Sequence, residues 1–512
     1  MADYKVKDLR GPERRNFIKY MTLAAAGFGL ERTKFLNFLA DHGGTALAAD
    51  TCAETNRHVG IVAGGGNFCQ WNLMWPLPDM AKEDRMDFPY NTKEDPGGFM
   101  FNGDKPYFQN GPGDKPFYYG SLSPFVAGGV PTRPMSAFLV ADPVVHHRKP
   151  LRQITIAGAL PGNAQGADDG IAGGSVTLFA AIGALQRTTT SILPSIGVAP
   201  ASIGNAPGAP ALAVVPSADA MVDLFNSAAA RVILAAEKDK ALFETYYKAI
   251  LGLREAADRP TWARELDIAK KASNLIGKNL SKELMPSAAD LTFYGVDQMM
   301  ATPIANWYST NNDGTPARDR VVNMAKALII TKKAFALGLT NQVIIGTVPE
   351  AGGANGFTDP HATFDDLAGA RTVVKFWGMA LDRFYQDLAT APDPACTAKM
   401  LDKTVILTVH GDHPHDPLSR PGWKDSTPGN ANWMYVMGNG YIPSGWHGQG
   451  RIDNTAGGID PTKGTEIPYN GQSSVHAASA AVLYAVAKGD MKKVKEFYKG
   501  PDITSLINPP PV

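Results

Sequence analysis

The chain has 512 residues, of which 44% are hydrophobic, so it can bury a large core. Its 49 basic residues balance its 49 acidic residues, which argues against a nucleic-acid partner. No apolar run approaches the roughly 18 residues that a membrane-spanning helix needs, so the sequence predicts no transmembrane span.

The first 50 residues resemble a signal for export. Residues 13–19 (ERRNFIK) fit the twin-arginine pattern, and a short, weakly apolar segment follows at 21–30. Residues 46–48 (ALA) offer a small-x-small cleavage site, although charged residues at 31–34 interrupt the apolar segment. We therefore predict a periplasmic or extracellular protein that uses the twin-arginine route. The alternative is an amphipathic N-terminal helix that stays attached.

The three cysteines are Cys52, Cys69 and Cys396. An exported chain can pair two of them and leave the third as a thiol. A bond between Cys52 and Cys69 would join the start of the mature chain to the first core strand. Three unpaired thiols are the equal alternative.

The first half of the chain contains few regular patterns. Residues 58–63 (HVGIVA) predict the first core strand, and residues 152–157 predict a second. Residues 76–135 show no sustained period and predict a long surface excursion. Residues 158–216 are rich in glycine, alanine and proline, which predicts loops with one short helix at 175–185.

The second half alternates helical and strand patterns. Ser217 and the acids after it are typical of a helix start, and a helical insertion is predicted at about 217–285. The alternation implies a three-layer α/β/α domain at 51–512 with a mainly parallel sheet. Strands are predicted at 341–348, 403–410 and 432–438, and helices at 236–252, 260–280, 318–337, 364–388, 473–487 and 491–498.

Two segments rich in histidine and aspartate each follow a predicted strand. Asp359 and His361 come after the strand at 341–348, and Asp412 and His413 come after the strand at 403–410. Open α/β sheets bind ligands beyond the carboxyl ends of their strands. Carboxylates and imidazoles suit a divalent cation such as zinc, manganese or calcium. We predict that these four residues hold one.

Each of these segments also has a structural interpretation. Asp359 can begin a turn before the proline that follows it, with His361 capping the next helix. Residues 410–416 (HGDHPHD) can form a polar loop exposed to solvent. Two further histidines, His447 and His476, are interpreted as structural.

A glycine-rich turn at 64–66 follows the first strand. Backbone amides in such a turn can bind an anion, although a simple tight turn also explains the glycines. Cys69, just beyond it, would act as a nucleophile only with a lowered pKa. A sulfatase-type modified cysteine needs proline two residues later and arginine four residues later. Trp71 and Leu73 stand there, which argues against that chemistry.

The order of these features resembles the exported proteins grouped as domain of unknown function 1501. That group looks like a relative of the alkaline phosphatase and sulfatase superfamily. The resemblance spans about residues 55–505 and includes the strand that ends in glycines, an Asp-x-His before a long helix, and a glycine-rich pattern at 437–448 (MGNGYIPSGWHG). It implies an alkaline-phosphatase-like fold and a metal-dependent hydrolase.

The resemblance assigns the candidate metal ligands residue by residue. Asp359 and His361 match the family's Asp-Thr-His, with Pro360 in place of the threonine. Asp412 and His413 fall where phosphatase relatives carry a metal-binding Asp-His. The family's own Glu-Phe-Gly-Arg is absent at that place.

The candidate catalytic residues are Asn67, Cys69 and Asn432. Asn67 stands where relatives often carry an aspartate after the first strand. Asn432 stands where the family has the histidine of Asp-His-Trp. These two departures argue against a two-metal site, and the ligands that remain suit one metal ion or none.

Taken together, the sequence predicts an exported metal-dependent hydrolase of phosphate or sulfate esters, with a small-molecule or glycan ester as substrate. The alternative is a non-catalytic periplasmic or surface protein that binds a ligand, a glycan or a protein partner on a hydrolase fold. Asparagine at positions 67 and 432 favours the alternative, and the two Asp/His pairs favour the hydrolase. A redox protein loaded with a cofactor is a third class, favoured only by the export route.

Overall fold

The computed structural model describes residues 52–62, 176–189, 191–198, 204–225, 280–307, 316–346, 367–410, 431–443, 445–447, 456–468 and 472–511, with short strands between 74 and 141 and at 449–450. For some residues of these helices and strands, only the backbone is described. Among the described residues, no helix combines the length and the apolar character needed to cross a membrane.

An eight-stranded sheet forms the centre of the fold. Its spatial order is β4-β3-β5-β1-β6-β7-β2-β8, with the labels following chain order. Neighbours are parallel except at β6–β7 and β7–β2, so β7 alone among these eight strands runs against the others. The strands are β1 (Arg57–Val62), β2 (Ser136–Ala141), β3 (Ser195–Val198), β4 (Leu212–Val215), β5 (Gln342–Gly346), β6 (Val405–His410), β7 (Ala431–Met437) and β8 (Gly445–His447).

Helices and short strands connect or flank this sheet. The helices are α1 (Leu178–Leu185), α2 (Ala218–Leu224), α3 (Leu280–Leu284), α4 (Ala288–Phe293), α5 (Val296–Ala301), α6 (Ala317–Ala336), α7 (Leu367–Leu388), α8 (Gln472–Val486) and α9 (Met491–Phe497). Outside the central sheet, short strands are Met74–Trp75, Phe101–Asn102, Lys105–Pro106, Phe108–Asn110, Pro116–Tyr119, Val126–Ala127, Val130–Pro131, Pro392–Asp393, Cys396–Met400, Gln449–Gly450, Ala456–Ile459 and Glu466–Pro468.

Apolar side chains cover both faces of the central sheet. Val59 and Ile61 of β1 pack in one buried cluster with α2, α6 and α7. Ile344 of β5 and Ile406 of β6 belong to a second cluster with α1, α8 and α9. Parallel strands that are buried on both faces need continuous apolar runs, which is the pattern these strands have. The predicted α/β class with a mainly parallel sheet is confirmed.

Local polar residues set several helix starts. Ser217 precedes α2, and its hydroxyl accepts a hydrogen bond from the Ala220 amide at 3.2 Å, as the sequence predicts. Ser287 and Asp290 form a capping box at the start of α4, with the Ser287 amide 2.8 Å from Asp290 Oδ2. These side chains satisfy amides that have no partner within the helix.

Two strands occur where the sequence predicts only loops. β3 and β4 lie within residues 158–216, so the prediction of loops with one helix there is wrong. Each strand is only four residues long, and Ser195 and Gly197 interrupt the apolar run of β3. The strand predicted at 152–157, the helices at 236–252 and 260–280, and the export region lie outside the described residues.

The disulfide joins Cys52 to Cys396, with 4.1 Å between their Cα atoms. The proposed pairing of Cys52 with Cys69 is therefore wrong, and so is the alternative of three free thiols. Cys396 begins the second strand of a hairpin whose first strand is Pro392–Asp393. The partners are 344 positions apart, and only the tertiary fold brings them together.

Gly60 lies under the ring of Phe179, where α1 crosses β1. A Cβ atom added at Gly60 would lie 2.8 Å from Phe179 Cζ, which is too close for two carbon atoms. We expect Gly60→Ala to lower the free energy of unfolding by about 1–3 kcal/mol, measured by guanidinium denaturation. Combining it with Phe179→Leu should remove part of the clash. If the two substitutions lower the free energy of unfolding additively, the clash with Phe179 is not the cause of the loss in Gly60→Ala.

Candidate functional site

Three neighbouring parallel strands end together in the middle of the sheet. β1 lies between β5 and β6, and Val62 is the register partner of both Gly346 and His410. The chain leaves all three strands at the same edge and at the same level. In parallel α/β sheets this carboxyl-terminal edge is where ligands bind.

The segments that carry the predicted site residues continue from these three strands. The chain reaches Asn67 and Cys69 after β1, Asp359 and His361 after β5, and Asp412 two residues after the end of β6. The structure therefore places the starting points of the three segments side by side. The predicted residues outside its described part are Asn67, Cys69, Asp359, His361, Asp412 and His413.

Asn432 is the predicted site residue whose backbone the structure describes. It lies in β7 and pairs with Val140 of β2. β7 runs antiparallel to β6, and Met434 pairs with His410, the last residue of β6. Asn432 comes two residues before Met434, so its backbone lies just beyond the end of β6. This is the same edge that the three parallel strands reach.

A histidine that sequence reasoning assigned a structural role also lies toward this edge. The last turn of α8 lies at the start of β1, since Val486 O accepts from the Asn56 amide at 2.7 Å. A helix of 15 residues is about 22 Å long, so His476, near the start of α8, lies toward the opposite edge. Burial lowers the pKa of His476 to about 4, which keeps its imidazole neutral at neutral pH. A single histidine in an alanine-rich helix gives no sequence signal for this position.

His447 fits its structural interpretation. It is fully buried at the end of β8, and its Nε2 atom lies 3.2 Å from the carbonyl oxygen of Pro443. Burial lowers the pKa of His447 to about 4, and the contact with Pro443 opposes that shift only in part. The neutral imidazole therefore holds the local backbone in place through its contact with Pro443.

A row of polar side chains crosses the sheet beneath α1. Ser195 Oγ donates to Gln342 Oε1 at 2.7 Å, and Gln342 Nε2 donates to the Phe179 carbonyl at 3.0 Å. On the next strands, His58 Nε2 lies 2.9 Å from Thr408 Oγ1. These buried groups form hydrogen bonds with one another across neighbouring strands. They hold neighbouring strands in register and leave no exposed chemistry.

A buried ion pair lies at the opposite, amino-terminal edge. Arg57 Nη2, at the start of β1, is 2.9 Å from Asp393 Oδ1, and Nη1 donates to the Thr340 carbonyl at 2.7 Å and to Asn341 Oδ1 at 2.9 Å. Burial alone would raise the pKa of the Asp393 carboxyl, but the Arg57 guanidinium and the Ala395 amide lower it below its usual range. This cluster ties β1, β5 and the hairpin together and is structural.

Comparisons of the chain with protein-family models, with curated proteins and with solved structures found no match. Within the described stretches, no three His, Cys, Asp or Glu side chains come together as a metal site.

Proposed function

We propose that the protein is an exported metal-dependent hydrolase of phosphate or sulfate esters. One observation supports this proposal above the others: β5, β1 and β6 are adjacent, parallel and level at their carboxyl ends. The two segments with Asp/His pairs continue from β5 and β6, on either side of β1. A sheet covered on both faces also supports the alkaline-phosphatase-like architecture that the sequence resemblance implies.

The donor set suits the proposed chemistry. Asp359, His361, Asp412 and His413 supply two carboxylates and two imidazoles, the ligands that zinc and manganese accept. A divalent cation held by these four residues would lower the pKa of a bound water and offset the negative charge on the ester oxygens.

The remaining candidates would act on the substrate. The backbone of Asn432 lies just beyond the end of β6, and an asparagine amide at this place can donate a hydrogen bond to an ester oxygen. Asn67 would do the same from the turn after β1. Cys69 would serve as a nucleophile if the site lowers the pKa of its thiol. The substrate class that fits is a small-molecule or glycan ester.

A non-catalytic binding protein is the second candidate. It is favoured by the asparagines at 67 and 432, which stand where the resemblance implies an acid and a base. An amide does not act as a proton donor or acceptor in acid–base catalysis. It also binds a cation less strongly than a carboxylate or an imidazole does. On this reading the same edge of the sheet binds a ligand, a glycan or a protein without turnover.

Elemental analysis tests the proposal. Protein purified from the exported fraction without chelator should contain about one equivalent of a divalent metal, as a single four-ligand site implies. The double variant Asp412→Ala/His413→Ala should lose that metal and its hydrolysis of p-nitrophenyl phosphate or sulfate, with an unchanged circular dichroism spectrum. The matched control is Asp219→Ala/Lys326→Ala, an exposed ion pair that should leave metal content unchanged.

Two outcomes would contradict the proposal. Stoichiometric metal in the Asp412→Ala/His413→Ala variant would show that these residues are not the ligands. Wild-type protein that takes up no metal after loading with excess divalent ions would favour the binding protein.

A further inference from the structure

Residues 52–56 make several contacts with distant parts of the chain. Cys52 is disulfide-bonded to Cys396, and the Ala53 amide donates to the Ala395 carbonyl at 2.8 Å. Glu54 lies 2.7 Å from Lys493 Nζ. We call residues 52–56, with these contacts, the N-terminal clamp. It fastens the chain just before β1 to the hairpin at 392–400 and to the end of the fold.

The contacts of the residues next to the clamp do not depend on the disulfide. Asn56 holds the last turn of α8 through Asn56 Nδ2, which donates to the Ala485 carbonyl at 2.8 Å. Arg57 holds the hairpin through Asp393, and the Asp393 carboxylate accepts from the Ala395 amide at 2.9 Å. These bonds hold residue 56 against α8 and residue 395 within the hairpin. The reduced chain can therefore keep β1 and the hairpin in place while residues 52–55 are released.

Access to the two sulfur atoms is unequal. Cys396 is only 4% exposed, whereas Cys52 is half-buried. A thiolate from solvent therefore reaches Cys52 first. Attack at the Cys52 sulfur forms a mixed disulfide there, and the electron pair of the broken bond leaves with Cys396 as a thiolate.

A cation lies close to Cys52, the residue that is attacked. Lys488, in the turn between α8 and α9, donates from Nζ to the Ala53 carbonyl, one residue from Cys52. Its backbone has φ of +53°, in the left-handed region that strains a residue with a side chain. A glycine at this position would avoid that strain but would lose the ammonium group. A nearby ammonium group attracts the negatively charged thiolate that attacks Cys52.

We propose that Cys52–Cys396 is a redox-sensitive latch on the N-terminal clamp, with Lys488 as its positioning residue. Reduction by a low-molecular-weight dithiol consumes two electrons and two protons. It yields two cysteine thiols and the oxidised, cyclic dithiol. The latch releases the chain before β1 and leaves the sheet closed, because Asn56 and Arg57 hold their partners without it. In an oxidising compartment the latch is shut.

Hydrogen exchange with mass spectrometry tests the latch on the full-length protein. Treatment with dithiothreitol under native conditions should raise amide exchange at 52–55 and at 396–399, with exchange in β1, β5 and β6 unchanged. Exchange that rises through the whole sheet on reduction would overturn the proposal, because the bond would then hold the fold itself. A bond that is reduced only after denaturant is added would overturn it as well.

Reduction rates test the role of Lys488. Isotope-coded alkylation can follow the peptides with Cys52 and Cys396 separately from the one with Cys69. Lys488→Met keeps the length of the side chain and removes its charge, and should slow reduction about threefold or more. Lys492→Met, on the exposed side of α9, is the matched control and should leave the rate unchanged. Equal rates in the wild type and both variants would remove Lys488 from the latch.

Discussion

Replacing Arg57 by alanine is expected to lower the free energy of unfolding by about 3–5 kcal/mol. The Arg57 and Asp393 side chains are only 3% and 5% exposed, so the change leaves a buried carboxylate without its cation. It also removes the donors to the Thr340 carbonyl and the Asn341 side chain. The Arg57 guanidinium additionally lies 5.5 Å from the centre of the Phe335 ring, a contact that alanine cannot replace. Urea denaturation followed by circular dichroism measures the loss.

The exposed pair between Lys326 and Asp219 is the control for this prediction. Lys326→Ala should cost no more than about 1 kcal/mol, because solvent screens that pair.

The pH dependence of the free energy of unfolding gives a second check of the Arg57 prediction. The lowered pKa of Asp393 stabilises the fold above the ordinary carboxyl value of 3.8, and that stabilisation is lost as the pH falls through the lower folded value. The difference between the wild type and Arg57→Ala should therefore narrow in acid to the part caused by the other lost contacts of Arg57, and a constant difference down to pH 2 would contradict this account.

Trp377→Ala should destabilise the fold by about 3–5 kcal/mol. Trp377 is fully buried in α7 and belongs to the cluster between the sheet and α6. Its neighbour Phe376 stacks on Trp307, with 5.2 Å between the ring centres, so the surrounding side chains are held and cannot collapse into the cavity. Guanidinium denaturation with a constant m-value is the measurement.

Two variants bracket the Trp377 prediction. Trp377→Phe keeps most of the buried volume and should cost less than half as much as alanine. Phe293→Ala removes an aromatic ring that is 39% exposed, so its cost should also be smaller. A loss for Trp377→Ala no larger than that for Phe293→Ala would mean that the core around α7 repacks.

The long apolar elements were predictable from the sequence. β5 and β6 lie within strands predicted at 341–348 and 403–410, and α6 differs by one residue at each end from the helix predicted at 318–337. The strands are continuous apolar runs because both faces of the sheet are buried. The helix shows a helical period because its inner face is buried. β3 and β4 were missed because four residues are too few to show a period.

The polar core and the disulfide could not be predicted. Nothing in the sequence around Arg57 indicates a carboxylate partner 336 positions away, and Cys52 has its partner 344 positions away. For the candidate site, the order of strands and polar segments along the chain predicted which segments carry the site residues. Only the structure shows that the strands before those segments are neighbours in the sheet. The sequence cannot show that β1 lies between β5 and β6, because sheet order is decided by long-range pairing.

The central position of β1 has a consequence for the synthesis of the protein. Arg57 bonds to Asn341, 284 positions later, and His58 contacts Thr408, 350 positions later. At translation rates of about 5–20 residues per second, β1 waits roughly 15–60 s on the ribosome before its first neighbour in the sheet exists. Throughout that time both edges of an apolar strand are unpaired. Residues 57–62 therefore have to stay unpaired without aggregating until the second half of the chain has been made.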